Sequence, residues 1–187
     1  MSDIQLTAVP TPNPNTVKFL VNRQFLEKGS ISFLSKEEAE NSFLAEKLFE
    51  ITGIQSLMVG TNFISITKLP NVGWETVLET ATFYLKNVLQ SDESLLNPQL
   101  IQDAQTTSHH QQTDVINKII HILDHEIRPA IAMDGGDCQF HSYENGVVTL
   151  QLQGACSSCP SATMTLKMGI ENRLKEEIPE IQDVVQL

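Results

Sequence analysis

The chain has 187 residues, of which 41% are hydrophobic, with 12 Lys and Arg against 23 Asp and Glu and a formal net charge of -11. This acidic excess repels phosphate backbones and anionic lipid, which argues against general binding to nucleic acids or membrane surfaces. Because no apolar run approaches the roughly 20 residues that span a bilayer, and because Met1–Pro10 lacks a basic stretch followed by an apolar one, we expect a cytoplasmic protein without a membrane segment.

The first 90 residues predict a small α+β domain. Alternating apolar residues indicate two strands around a break rich in Pro and Asn, and a second pair of strands flanks Gly60-Thr61-Asn62 as in a hairpin. Apolar residues at a spacing of three or four predict two helices that pack against the sheet. These predicted strands and helices lie at residues 4–8, 17–21, 43–49, 57–59, 63–66 and 74–88.

A change in composition separates this part from the rest of the chain. Residues 91–113 are rich in Gln, Ser, Thr, Asp and His and contain no Lys or Arg. We interpret this stretch as a flexible polar linker. The predicted domains are therefore residues 1–90 and 114–187.

The second part predicts the order helix, hairpin, helix, strand. Its first helix begins after Thr113, which is placed to cap it, and ends at Pro129. Asn145-Gly146 is a strong signal for the two-residue turn of a hairpin, and Pro160 suits the first position of the second helix. The predicted elements lie at residues 115–127, 138–143, 147–152, 160–178 and 181–187. The predicted fold class is thus α+β, with two small α+β domains joined by the linker.

The most informative chemical signal is a pair of thiols, Cys156 and Cys159, in a loop that leads directly into the second helix. The positive end of a helix favours thiolate, so we expect this placement to lower the pKa of the thiols. The small neighbouring residues predict that the sulfur atoms are accessible. A CxxC pair fits a redox dithiol, half of a zinc site or half of an iron-sulfur ligand set.

The number of ligands limits what one chain can hold. A tetrahedral zinc site or a four-iron cluster usually needs four protein ligands. On a regular strand Cys138 and His141 point to opposite sides, so they do not share a metal, and Cys138 is interpreted as a buried structural residue. Two chains that each donate Cys156 and Cys159 would supply four thiolates about a two-fold axis, which predicts a dimer bridged by a metal cluster.

Other candidate sites are weaker. The run Met133–Asp137 lacks the spacing and the Lys of a phosphate loop, so we interpret it as a flexible turn whose glycines let the backbone pass close to the thiol loop. His121 and His125 are four residues apart on a predicted helix and could bind a metal, but a solvated helix face is the simpler interpretation. His109 and His110 lie in the predicted linker.

Two sets of motifs resemble known domains. The second part resembles the C-terminal domain of NifU, the core of Nfu-type iron-sulfur proteins, in Arg128-Pro129, Met133–Asp137, Gly154–Ser161, Thr165-Leu166 and Gly169–Glu171. The segment Thr11–Phe19 is similar to the N-terminal domain that precedes it in Nfu proteins.

The resemblance implies a cluster carrier and not an enzyme. Cys156 and Cys159 would hold a [4Fe-4S] cluster between two chains, receive it from an upstream assembly scaffold and pass it to apo-proteins. Two other functions fit the thiols: a CxxC thiol oxidoreductase, which needs one chain, and a dimeric zinc-bridged interaction module.

Overall fold

The computed structural model of the chain describes residues 4–91, 93–105, 114–157 and 160–187. The chain divides into two compact units, Met1–Thr107 and Ser108–Leu187. Each unit combines helices with its own sheet, which confirms the predicted α+β class. Among the described residues, none of the helices is both long and apolar enough to cross a membrane.

The first unit is an antiparallel sheet with helices on its apolar face. Its sheet has the order β1-β2-β5-β4-β3. Strand residues two apart and helix residues three or four apart meet in the core, where Phe19, Ile64, Ile66, Leu48 and Leu85 are fully buried. The elements are β1 (Leu6–Pro10), β2 (Thr16–Val21), β3 (Ile31–Phe33), a 3₁₀ turn (Glu37–Asn41), α1 (Phe43–Phe49), β4 (Ile54–Val59), β5 (Phe63–Lys68), α2 (Trp74–Gln90) and α3 (Pro98–Gln105).

The segment rich in Pro and Asn forms the turn between β1 and β2. The Thr11 hydroxyl donates to the carbonyl oxygen of Thr16 at 2.9 Å. The Lys68 ammonium donates to Oδ1 of Asn15 at 2.9 Å, and the Trp74 indole donates to the carbonyl oxygen of Pro14 at 2.8 Å. These bonds fix the turn against β5 and α2, so its residues have a structural role in this unit.

Part of the predicted linker packs on the first unit. Leu95 and Leu96 are buried in its core, and the carbonyl oxygen of Leu95 accepts from the Ser42 hydroxyl at 3.1 Å. The helix α3 follows, and residues 106–113 lie outside the described residues. Leu100 and Ile101 of α3 also pack against this core, and each of these side chains removes apolar surface from water. The domain limits 1–90 and 114–187 stay a prediction.

The second unit has the predicted order helix, hairpin, helix, strand. Its sheet has the order β6-β7-β8, in which β6 and β7 are antiparallel and β7 and β8 are parallel. Asn145 and Gly146 have φ values of 50° and 82°, which confirms the two-residue turn of the hairpin. The elements are α4 (Asp114–Ile122), a π-helical segment (Leu123–Ile127), α5 (Arg128–Met133), β6 (Gly136–Glu144), β7 (Val147–Gly154), α6 (Pro160–Glu177) and β8 (Asp183–Gln186).

The prediction that the first helix of this unit ends at Pro129 is wrong. The helical path runs on through α5 to Met133, with Pro129 in its first turn. The N–H of Arg128 bonds to the carbonyl oxygen of Leu123, five residues earlier, so the helix widens just before the proline. This bulge absorbs the missing N–H and the bulky ring of proline, and a helix restarts there because proline is tolerated in a first turn. The predicted cap, Thr113, lies outside the described residues.

Candidate metal centre

The thiol loop leaves β7 in a closed turn. Gly154 has a φ of 63°, which favours glycine, and its carbonyl oxygen accepts from both the N–H and the hydroxyl of Ser157, at 3.2 and 2.9 Å. The helix α6 begins at Pro160, as predicted. Cys156 therefore lies in a turn between a strand and an 18-residue helix. Cys159 lies outside the described residues.

The sulfur of Cys156 lies against the backbone of β6. A Cβ atom added at Gly136 would be 2.3 Å from Sγ of Cys156, so only a glycine leaves this hollow open. Nearby, the N–H of Ala155 donates to the carbonyl oxygen of Gly135 at 3.1 Å. The prediction that the glycines let the backbone pass close to the thiol loop is confirmed.

The expectation of an accessible sulfur is wrong for Cys156 in this structure. Its residue is 7% exposed and belongs to the apolar core of the second unit. The physical reason is the hollow above Gly136, which the sulfur fills together with the side chain of Ile131. The small residues of the loop allow the chain to turn inward as well as outward.

Cys138 is fully buried on β6, as predicted, and faces Leu152 of β7 in the ladder. Burial, and then the negative charge of Asp137, raises the pKa of the Cys138 thiol to about 12. His141 is exposed on the same strand, at a β-bulge between Phe140 and Ser142 that interrupts the regular alternation assumed in the prediction. Cys138 is thus held as a protonated thiol inside the core, because a thiolate there would lose its hydration.

The structure contains an ion-pair network next to the thiol loop that the sequence did not predict. Nε and Nη2 of Arg128 donate to the two carboxylate oxygens of Asp137, each at 2.8 Å, and Nη1 donates to Asp124 at 2.9 Å. Oδ1 of Asp137 also accepts from the N–H of Cys138 at 2.8 Å. Burial alone would lower the pKa of Arg128, but the bonds to both carboxylates outweigh it and the pKa is raised. The network joins the π-helical segment and α5 to the start of β6.

This network corrects the interpretation of Met133–Asp137 as a flexible turn. Only Asp134 and Gly135 form the turn, and β6 already begins at Gly136. The side chain of Asp137 is 8% exposed. No local pattern predicts the contact, because the partners are nine residues apart and meet only once the turn has reversed the chain.

The candidate histidines His121 and His125 lie on the first helix of the second unit and not in the thiol loop. The rings of His121 and His125 are exposed and stacked, with centroids 4.2 Å apart. His109 and His110 lie outside the described residues. Over the part of the chain that the structure describes, no three His, Cys, Asp or Glu side chains are grouped closely enough to hold a metal ion.

Two family models match the chain in sequence. The model described as a NifU-like domain matches residues 119–185, and the model described as the N terminus of the scaffold protein Nfu/NifU matches residues 4–92. The two matches fall in the second and first compact units, respectively.

Similar proteins are named as iron-sulfur cluster scaffolds. The NFU1 iron-sulfur cluster scaffold homolog, mitochondrial, of Drosophila persimilis is 38% identical over 95% of this chain and 63% of its own length. The human protein of that name is 35% identical over 95% of this chain and 69% of its own. NifU-like protein 5, mitochondrial, of Arabidopsis thaliana is 34% identical over 94% and 65%. The chain thus spans less than two thirds of the length of the Drosophila and Arabidopsis relatives. A solution structure of a NifU-like protein from Saccharomyces cerevisiae is 28% identical, with a TM-score of 0.46 over 51% of this chain and 86% of that one.

Proposed function

Because the chain belongs to the Nfu family of iron-sulfur cluster scaffold proteins, we propose that two copies of it hold one [4Fe-4S] cluster between them through Cys156 and Cys159. The loaded dimer receives the cluster from an upstream assembly scaffold and delivers it to apo iron-sulfur proteins. On this proposal the chain is a carrier and turns over no substrate.

The position of Cys156 is the observation that supports this proposal most. It lies in the closed turn after β7, and Pro160 starts a long helix four residues further on. Thiolates are the ligands that iron-sulfur clusters take from proteins, and the N-terminal turn of a helix stabilises negative charge. The lowered pKa expected for this thiol pair stays a prediction.

The environment of the other candidate ligands in this chain supports a second chain as the source of the remaining cluster ligands. The thiol of Cys138 is fully buried and has a pKa raised to about 12, so it is not available as a thiolate. His141 is exposed at the bulge of β6, and among the described residues it belongs to no group of three His, Cys, Asp or Glu side chains that could hold a metal ion. A four-iron cluster usually takes four thiolates, and the pair in one loop supplies half of them. A symmetric dimer supplies the rest.

The buried sulfur of Cys156 adds a step to the proposed cycle. In the chain alone this sulfur packs against Gly136, so the turn 154–157 has to rotate it outward before it can bind iron shared with a second chain. Delivery then proceeds by ligand exchange, in which thiolates of the recipient displace Cys156 and Cys159 stepwise. Once the turn has rotated outward, its ligands can exchange more readily than ligands that stay fixed in a core.

Metal analysis tests the proposal. Iron, acid-labile sulfide and zinc are measured per chain, with native mass, on protein kept free of oxygen and reconstituted with iron and sulfide. We expect about four irons and four sulfides per dimer, lost in Cys156→Ala and retained in the matched control Cys138→Ala. Absence of iron overturns the proposal: zinc alone would then favour the interaction module, and a reversible disulfide without metal would favour the oxidoreductase.

Transfer is tested separately. The loaded wild-type chain is mixed with an apo-protein that takes a [4Fe-4S] cluster, and the recipient is separated and analysed for iron. Reconstituted Cys156→Ala serves as the comparison. Equal delivery by both proteins would show that the thiol pair does not carry the cargo.

We also propose the cytoplasm as the compartment, since free thiols persist in a reducing environment. The relatives above are named mitochondrial. Immunodetection of the untagged chain in separated cell fractions decides between the two, and its recovery in an organelle would contradict the cytoplasmic assignment.

A further inference from the structure

A pair of imidazoles stands out on the surface of the second unit. His121 lies in the last turn of α4 and His125 in the π-helical segment that follows. Both are exposed, and their rings are stacked with centroids 4.2 Å apart and planes inclined by 17°. The pair therefore presents two ring edges to solvent on one side of the helix.

The hydrogen bonding of His125 fixes which of its nitrogens is available. Its Nδ1 lies 2.9 Å from the backbone carbonyl oxygen of His121. A carbonyl oxygen can only accept, so this contact requires a hydrogen on Nδ1, and in the neutral imidazole the lone pair then lies on Nε2. An imidazole oriented by a backbone carbonyl in this way is the usual arrangement of a histidine that binds a metal.

The neighbouring carboxylates are engaged elsewhere. Glu126 accepts two bonds from Arg173, at 2.7 and 3.0 Å, and Asp124 accepts from Arg128 at 2.9 Å. The stacked imidazoles are therefore the donors that this surface offers to a metal ion. They also lie at a π-helical bulge, a feature that recurs at functional sites.

We propose that His121 and His125 form a binding site for a divalent transition-metal ion of the kind that prefers imidazole, such as Ni²⁺, Cu²⁺ or Zn²⁺. In this structure the two ring planes are nearly parallel, so the ring of His121 has to rotate about its side-chain bonds before the two lone pairs can converge. Residues four apart on a helix are neighbours, and after that rotation one nitrogen of each ring can reach a shared ion at about 2.0–2.1 Å. Water completes the coordination sphere. The site uses no thiol and is separate from the loop that carries Cys156.

Nuclear magnetic resonance of the full-length ¹⁵N-labelled chain tests this site, with Ni²⁺ as the probe. Paramagnetic Ni²⁺ broadens the amide signals near the ion, and we expect the signals of residues 118–128 to weaken selectively. In His125→Asn the Ni²⁺ concentration that halves these signals should rise at least tenfold, since one of two protein ligands is lost. His141→Asn, another exposed histidine of the same unit, is the matched control and should titrate as the wild type does.

The same spectra separate this proposal from the proposed function. Ni²⁺ on the thiol loop broadens the signals around residues 154–157, whether or not the imidazole pair binds. The imidazole site is refuted if residues 118–128 keep their signals while other regions lose theirs, or if His125→Asn and wild type titrate alike. A second readout guards against a folding defect: Ni²⁺ should raise the thermal unfolding midpoint of His125→Asn by less than it raises the midpoints of the wild type and of His141→Asn, and equal rises would count against the site.

Discussion

The hollow above Gly136 leads to a prediction for Gly136→Ala. The new Cβ would lie 2.3 Å from Sγ of Cys156 and 3.1 Å from both the carbonyl oxygen of Gln153 and Cγ2 of Ile131. Ordinary contacts between such atoms are about 3.5–4.0 Å, so the sulfur has to move by more than about 1 Å. The other two neighbours need to shift by only a few tenths of an ångström, which makes Cys156 the main source of the cost.

The expected magnitude follows from the crowded position of the sulfur. An extra methyl group in a packed core typically lowers the free energy of unfolding by about 1–3 kcal/mol. For a domain of this size, each kcal/mol lowers the unfolding midpoint by about 4–8 °C. Because the methyl group expels the sulfur from its hollow, Cys156 should also react faster with iodoacetamide in the folded protein.

The assay is chemical denaturation of the full chain, together with alkylation of Cys156 followed by peptide mass spectrometry. Gly169→Ala is the matched control, because a Cβ there meets nothing within 4 Å and alanine favours the helix α6. In a Cys156→Ala background, the cost of Gly136→Ala should fall to less than half. An unchanged cost in that background, or a Gly136→Ala protein as stable and as slowly alkylated as the control, would refute the reasoning.

Three further substitutions test other contacts of the second unit. Arg128→Met removes the guanidinium that pairs with the buried carboxylate of Asp137, so we expect chemical denaturation to show a loss of about 3–5 kcal/mol. Arg173→Met breaks exposed pairs and should cost far less, and equal losses would contradict this. Gly146→Ala places a Cβ 2.9 Å from the Glu180 carbonyl oxygen, at a residue whose φ is 82°. We expect the unfolding midpoint to fall by several degrees, and an unchanged midpoint would show that the turn tolerates a side chain. Burial raises the pKa of Cys138 to about 12 in the folded chain, while an unfolded thiol titrates near about 8.5. The resulting stability is complete below about pH 8.5 and is lost as the pH rises toward 12, so Cys138→Ala should flatten the alkaline part of a stability–pH curve, and parallel curves would count against the buried thiol.

The parts of the fold that could be predicted are those with a local signal. Asn145-Gly146 demands a specific turn, and Pro160 fits the start of a helix, so the hairpin and α6 begin where expected. By contrast, β3 has only three residues, too few for an alternating pattern, and forms because β4 offers it a ladder. The helix continues past Pro129 because of a bulge that the spacing of apolar residues does not predict. A proline can end one helix or begin another, so Pro129 in the sequence does not show which of the two occurs.

The candidate site shows a similar division. The CxxC spacing identifies Cys156 from the sequence, and alternation along a strand identifies Cys138 as an inward residue. The inward position of the Cys156 sulfur and the bonds between Arg128 and Asp137 depend on contacts across a chain reversal. Such contacts are set by tertiary packing. A single sequence does not show which residues become neighbours in the folded chain, so it does not predict these contacts directly.

The hollow over Gly136 also affects how readily Cys156 is oxidised in a chain that holds no cluster. Oxidation of a cysteine depends on its thiolate character and its exposure, and Cys156 as a residue is only 7% exposed. On the proposed function, the empty chain keeps this ligand sheltered and turns it outward only when iron and a second chain are present. Gly136→Ala should move the sulfur out of the hollow and still keep the cysteine. In the variant without a cluster, dilute peroxide should therefore oxidise Cys156 to sulfenic acid faster than in the wild type. Equal rates, measured by trapping with dimedone, would show that the turn already exposes the sulfur in solution.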